Sequence, residues 1–261
     1  VASKVDLCDA RFRINSLIRP SRKQAMPTFT RDDATIHYEV HGEGPPVLAL
    51  APGGMRSVAE KWRVMPWDPI ARLAASHQVI VMDQRNYGQS TAPITGNDGW
   101  ADYRDDQLGL LDHLGIERCH VVGMCIGGSF IMELIGAAPE RVAGAVMLQP
   151  IGLDNNRDTF FLMFDDWADE IMSQRPEVTD ADWSGFRQNL FGGDGFMFNC
   201  GDEAVGSCQT PLLVLMGTDV YHPEATSRRV ADLAPNATLI ESWKEGDDLE
   251  AASAAIANFL A

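Results

Sequence analysis

Apolar residues in this chain gather in short unbroken blocks. Val47-Leu48-Ala49-Leu50-Ala51, Val79-Ile80-Val81-Met82 and Val142-Ala143-Gly144-Ala145-Val146-Met147-Leu148 carry no polar residue on either face, the pattern of strands covered on both sides. Cys119-His120-Val121-Val122, the run from Pro211 to Gly217 and the stretch from Ala237 to Glu241 read as further strands, and Thr35 to Val40 as an earlier one. Between them the period changes. Leu108, Leu111 and Leu114 share one face of a helix predicted over 100–114, a second helix runs from Phe130 to Ala138 before Pro139, and two more are expected over 225–233 and 249–260. Strands that alternate with helices imply a mostly parallel central sheet flanked by helices, an α/β fold.

One strand-to-helix junction carries candidate chemistry. Gly123-Met124-Cys125-Ile126-Gly127 follows a strand and precedes a helix expected to begin near Gly128. This is the setting of a nucleophile elbow, with cysteine at the nucleophile position and small residues two before and two after it, where a flanking Cβ would strike neighbouring backbone. The helix N-terminus would favour the thiolate of Cys125 and aim an N–H at any oxyanion formed beside it. The strand 47–51 breaks into Pro52-Gly53-Gly54-Met55, which frees backbone N–H groups to face a cleft. Ile126 together with Gly54, or its neighbours Gly53 and Met55, are therefore the expected oxyanion-hole donors.

The order of these features resembles the α/β-hydrolase superfamily. The resemblance rests on the strand and glycine loop, the segment Asp83 to Ser90, the elbow, and Pro139-Glu140-Arg141-Val142-Ala143-Gly144, and it covers most of the chain from Met26 to Leu260. It implies the α/β-hydrolase fold, with a core over 26–150 and 209–261. The strand-poor, aromatic-rich segment 151–208 would be a small helical cap inserted over the nucleophile. The aromatic residues there, Phe160, Phe164, Trp167, Trp183 and Phe186 among them, are expected to shape a pocket for an apolar acyl group. Cysteine at the elbow is similar to the dienelactone-hydrolase branch, whereas the rest of the chain is closer to esterases.

The resemblance also places a triad acid in the loop after the strand at 211–217, where Asp219 stands, and a histidine after the last strand, where this chain has Ser242-Trp243-Lys244-Glu245-Gly246-Asp247 and no histidine. Of the six histidines, His37, His41, His77, His113 and His120 lie on the early strands or at strand entrances. Only His222 lies in a loop beyond the carboxyl end of a strand, where open parallel sheets build their sites. The expected constellation is therefore displaced: Cys125 with His222 and Asp219, with Asp247 as the alternative orienter and Lys244 a weaker candidate base. Triads are defined by geometry and role, not by order along the chain.

The chemistry that follows is hydrolysis of a small apolar ester, thioester or lactone through an acyl-enzyme on Cys125. The alternative is a catalytically degenerate member that binds a ligand.

Composition narrows the partners. A net charge of −16 disfavours nucleic acid and anionic membrane surfaces, which leaves a small-molecule substrate. The five cysteines lack C-x-x-C spacing and no phosphate-binding or dinucleotide motif is present, so neither a metal nor a cofactor is expected. Residues 1–25 are richer in Lys and Arg than the remainder. They read as a leader, or as an arm that packs on a neighbouring copy in a homo-oligomer. With no long apolar run or secretory h-region visible, the expected location is the cytoplasm.

Overall fold

The computed structural model describes residues 27–261; the leader or arm expected over 1–25 lies outside them. At one edge of the sheet, β1 (Thr28–Arg31) and β2 (Ala34–His41) form an antiparallel hairpin, and β2 also runs antiparallel to β4 (Gln78–Met82). The other neighbours are all parallel. β4 pairs with β3 (Pro46–Leu50), β3 with β5 (Cys119–Met124), β5 with β6 (Val142–Leu148), β6 with β7 (Leu212–Leu215) and β7 with β8 (Ala237–Ile240). The resulting order is β1-β2-β4-β3-β5-β6-β7-β8, the mostly parallel sheet expected.

The unbroken apolar blocks now have a physical reason. Successive strand residues point to opposite faces, and both faces are buried. Leu48, Leu50, Ile80, Met82, Val121, Met147 and Val214 belong to one apolar cluster. Val47, Ala49, Val79, Val81, Val122, Val146, Leu148 and Leu213 belong to the other. The first is covered by α2 (Trp100–His113), α3 (Gly127–Ala137) and α7 (Glu224–Leu233), and the second by α1 (Pro69–Leu73) and α8 (Gly246–Phe259). Fully burying one such aliphatic side chain is worth about 1.5–3 kcal/mol.

β1 and α1 go beyond the sequence expectation because four or five residues are too few to show a period. α1 does carry a start signal, Asp68 before Pro69, with the Asp68 carboxylate accepting from the Ile70 N–H at 2.9 Å. α8 starts at Gly246 rather than Leu249, since Asp247 and Asp248 suit the positive end of a helix.

The segment 151–208 holds three helices, α4 (Arg157–Met172), α5 (Asp180–Phe191) and α6 (Asp202–Ser207). Its aromatic rings pack on one another. Phe164 meets Phe186 at 5.3 Å between centroids, Trp167 meets Trp183 at 5.8 Å, and Phe160 meets Phe198 at 4.4 Å. Trp100 fastens the segment to α2: its ring lies 5.9 Å from Phe191 and its indole N–H donates to the Leu190 carbonyl at 2.9 Å. No helix among the described residues is long and apolar enough to cross a membrane.

Candidate active site

Because β3, β5, β6 and β7 run parallel, their carboxyl ends share one edge of the sheet, with Leu50 level with Gly123 and Met124 level with Leu148 and Leu215. Three segments leave that edge together: Ala51 to Met55 after β3, Cys125 after β5, and Met216 to His222 after β7.

Cys125 sits in the left-handed region at φ +61°, where a residue with a side chain is strained. Its backbone is held on both sides, N–H to the Leu148 carbonyl at 3.0 Å and carbonyl from the Ile151 N–H at 3.2 Å. The flanking glycines are required by close approach. A Cβ on Gly123 would lie 2.6 Å from the Gly127 carbonyl oxygen, and one on Gly127 would lie 2.9 Å from that of Leu50. The elbow expected from the sequence is thus present, with α3 beginning at Gly127.

The thiol is half-buried. Burial pushes it up, but the neighbouring His222 imidazole and the backbone N–H groups of Gly53 and Ile126 outweigh burial and hold it below its ordinary value. At the other described cysteines burial prevails over any such partner. Burial pushes Cys119 up to about 11 and, with Glu133 and Cys208 adding to it, Cys200 up to about 12; Cys208 is also raised, chiefly by burial.

Of the four expected oxyanion donors, Gly53 and Ile126 are the two whose N–H groups face the sulfur. Gly54 and Met55 belong to a 3₁₀ turn, Gly54–Arg56, closed by the Arg56 N–H on the Gly53 carbonyl at 3.0 Å. Gly54 is covered by Met163 of α4, whose sulfur a Cβ at Gly54 would strike. Nothing local in the sequence signals that contact.

His222 is buried, and both Asp219 carboxylate oxygens lie close to its Nδ1, at 2.8 and 2.9 Å. Nε2 is buried and has no hydrogen-bond partner among the described residues, and Cys125 is the neighbour that raises the imidazole most. Burial lowers the imidazole, yet Cys125 first and Asp219 second raise it above its ordinary value. Asp219 is pushed up by burial but held below its ordinary range by His222 and by the N–H groups of Tyr221 and His222. The structure therefore brings Cys125, His222 and Asp219 together.

Of Asp219 and Asp247, Asp219 is the one in contact with the His222 ring. Asp247 lies exposed in the first turn of α8, whereas Asp219 holds the ring. Lys244 stands with its ammonium 5.7 Å from the centroid of the Trp243 ring. Trp243, buried, fills the space after β8 and donates its indole N–H to the Met216 carbonyl at 2.8 Å. Strand spacing makes the displacement workable: β7 is two strands from β5, about 10 Å, and β8 three, about 14 Å.

A family model described as alpha/beta hydrolase fold matches residues 46–199, more than half of the chain. The chain belongs to the alpha/beta hydrolase fold family. It is 43% identical over 117 residues to "Putative carbamate hydrolase RutD" of Azorhizobium caulinodans, a match that spans 45% of this chain and only 42% of that protein. It is 25% identical over 239 residues to the carboxylesterase YbfK of Bacillus subtilis, spanning 83% of this chain and 79% of that one. Among solved structures, the enol-lactonase from Burkholderia xenovorans LB400 superposes with a TM-score of 0.68 at 20% identity, over 90% of this chain and 99% of that one; at that identity the likeness shows the fold.

Proposed function

We propose that this chain is a hydrolase that cleaves small apolar esters, thioesters or lactones by acyl transfer through Cys125, with His222 as general base and acid and Asp219 as its orienter. The observation that carries this reading is the contact network itself: a strained, acidified thiol at a helix N-terminus faces an imidazole whose other nitrogen is held by a carboxylate. The matched hydrolases and carboxylesterase support the reaction class.

The thiolate attacks the carbonyl carbon, and the Gly53 and Ile126 N–H groups receive the charge that develops on oxygen. The tetrahedral intermediate collapses with loss of the alkoxide or thiolate, which takes a proton from His222 Nε2. Water then attacks the thioester carbonyl, giving its proton to Nε2, and the acid leaves as Cys125 is regenerated. Acylation removes the negative sulfur that raises the imidazole, so His222 becomes the neutral base in time for the second half. The segment 151–208 acts as a cap over the oxyanion turn, and Met163 on Gly54 keeps the acyl site small. The residues need no metal or cofactor for this chemistry.

The test is hydrolysis of a panel of short-chain aryl esters, a thioester, a lactone and an alkyl carbamate, with mass spectrometry of the quenched protein. An acyl group on Cys125 that decays at the turnover rate is expected. Ligand-induced thermal stabilisation without acylation or turnover would replace this reading with that of a binding protein.

A further inference from the structure

His222 stands on a loop, and a loop places a base well only if its own backbone is held. Asn156, buried at the residue before α4, holds it. Its Nδ2 donates to the Val220 carbonyl at 2.6 Å and to the Gly152 carbonyl at 3.0 Å, and its Oδ1 accepts from the Asp154 N–H at 2.8 Å. Val220 lies between Asp219 and His222 in the chain, so the bonded carbonyl is that of the loop's own turn. Two further bonds support the same loop. The Gly152 N–H donates to the Tyr221 carbonyl at 3.4 Å, and the Gly217 N–H donates to the buried Ser227 hydroxyl at 3.2 Å.

An amide is the side chain that meets this demand, since two carbonyls need donors while one N–H needs an acceptor. Leucine has nearly the same shape and supplies none of these groups. Asn156 also starts α4, the helix that carries Met163, so the segment covering the oxyanion turn and the loop carrying the imidazole are bonded at one side chain.

We propose that Asn156 is a positioning residue, fixing the Val220 carbonyl so that His222 Nε2 is aimed at the Cys125 sulfur. The assignment rests on the reading of His222 as the base. Asn156 acts through the loop, and a misplacement near 1 Å at a reacting pair costs on the order of 10²-fold in rate.

The experiment compares Asn156→Ala, Asn156→Leu and His222→Ala, alone and combined, by ester turnover and by the pH dependence of Cys125 alkylation with iodoacetamide, each variant first checked for a cooperative melting transition. Should the alanine variant fail to fold, the leucine variant retains the side-chain volume. In the folded Asn156 variants kcat is expected to fall roughly 10- to 10²-fold with KM nearly unchanged. The alkylation midpoint should rise in the direction seen for His222→Ala. In the His222→Ala background, a further change at Asn156 should alter neither readout, because both residues act through one group. A folded Asn156 variant with wild-type kcat and alkylation profile overturns the proposal, as does the same fractional loss with His222 already removed. His222→Ala without effect would instead sink the assignment of the base, an outcome read from that single variant alone.

Discussion

The two halves of the candidate site are held by different physics. On the nucleophile side, position comes from the backbone. Cys125 is locked at φ +61° between glycines that have no room for a Cβ, and its donors Ile126 and Gly53 are chain neighbours or sit on an adjacent strand end. On the base side, position comes from side chains: Asp219 on the ring of His222, Asn156 on the loop between them, Ser227 on the loop's first turn. A backbone-built half is stiff and must be spelled out in glycines. A side-chain-built half can move to another loop provided its partners move with it, which is how the proposed base can stand after β7 while Trp243 is buried after β8.

The largest effect belongs to the nucleophile. Cys125→Ala should lower turnover by about 10³-fold or more and abolish labelling by an activated ester, measured by steady-state hydrolysis and intact mass. Appreciable residual turnover would mean that the elbow is not where the covalent bond forms. Next comes the base. His222→Ala should cost roughly 10²- to 10⁴-fold and make the thiol behave more like a free one. The sign follows from the shifts. A thiol held below its ordinary value stays ionised as pH falls below about 8.5 and loses reactivity only as pH passes through the lowered pKa. Without the imidazole, burial remains as the raising influence, so the alkylation midpoint must move upward. An unmoved midpoint would break the contrast between the two halves, leaving the thiol set by backbone alone.

The same division explains what could be read from the sequence. The apolar blocks at 47–51, 79–82 and 142–148 and the glycines around Cys125 announce the sheet and the elbow, because burial on two faces and a crowded turn each leave a mark at fixed spacing. His222 is reachable only by elimination among histidines; Asp219 is favoured by its place in the loop after the strand at 211–217, but its contact with Nδ1 through both oxygens is visible only in the fold. Asn156 lies 66 positions from His222, and its bond to Val220 depends on how two loops meet. The aromatic residues of 151–208 mark burial correctly, but composition does not say that Phe164, Trp167 and Phe186 face one another.

A smaller effect probes the stiff half directly. Gly53 has φ +123°, and a Cβ there would lie 2.9 Å from the Arg56 carbonyl oxygen and 2.9 Å from the Lys61 chain. Gly53→Ala should therefore rotate one oxyanion donor away and lower kcat by about 10²-fold, with Ile126 still in place. The discriminating readout is the acylation step in single turnover: if kcat falls but acylation is unchanged, the Gly53 N–H does not serve the oxyanion.

The smallest effect lies where the helical segment meets that half. Met163 rests on Gly54, so its side chain sets how much room remains above the oxyanion turn. Truncation in Met163→Ala leaves the thiol, both donors and the His222 loop as they are, and adds space only on the acyl side. A hydrophobic pocket discriminates by about 1–3 kcal/mol per methylene, so the ratio of kcat/KM for a butyryl over an acetyl aryl ester should rise about tenfold, while the alkylation profile of Cys125 stays fixed. Gly54→Ala makes the opposite change, forcing a methyl into the methionine sulfur, and should slow both esters. Adding Met163→Ala to Gly54→Ala should then restore activity, because the collision is with a side chain that the second substitution removes. Were the double variant no better than Gly54→Ala alone, the cost would lie in the left-handed backbone at Gly54, φ +58°, and the backbone-built half would extend one residue further than the thiol contacts indicate.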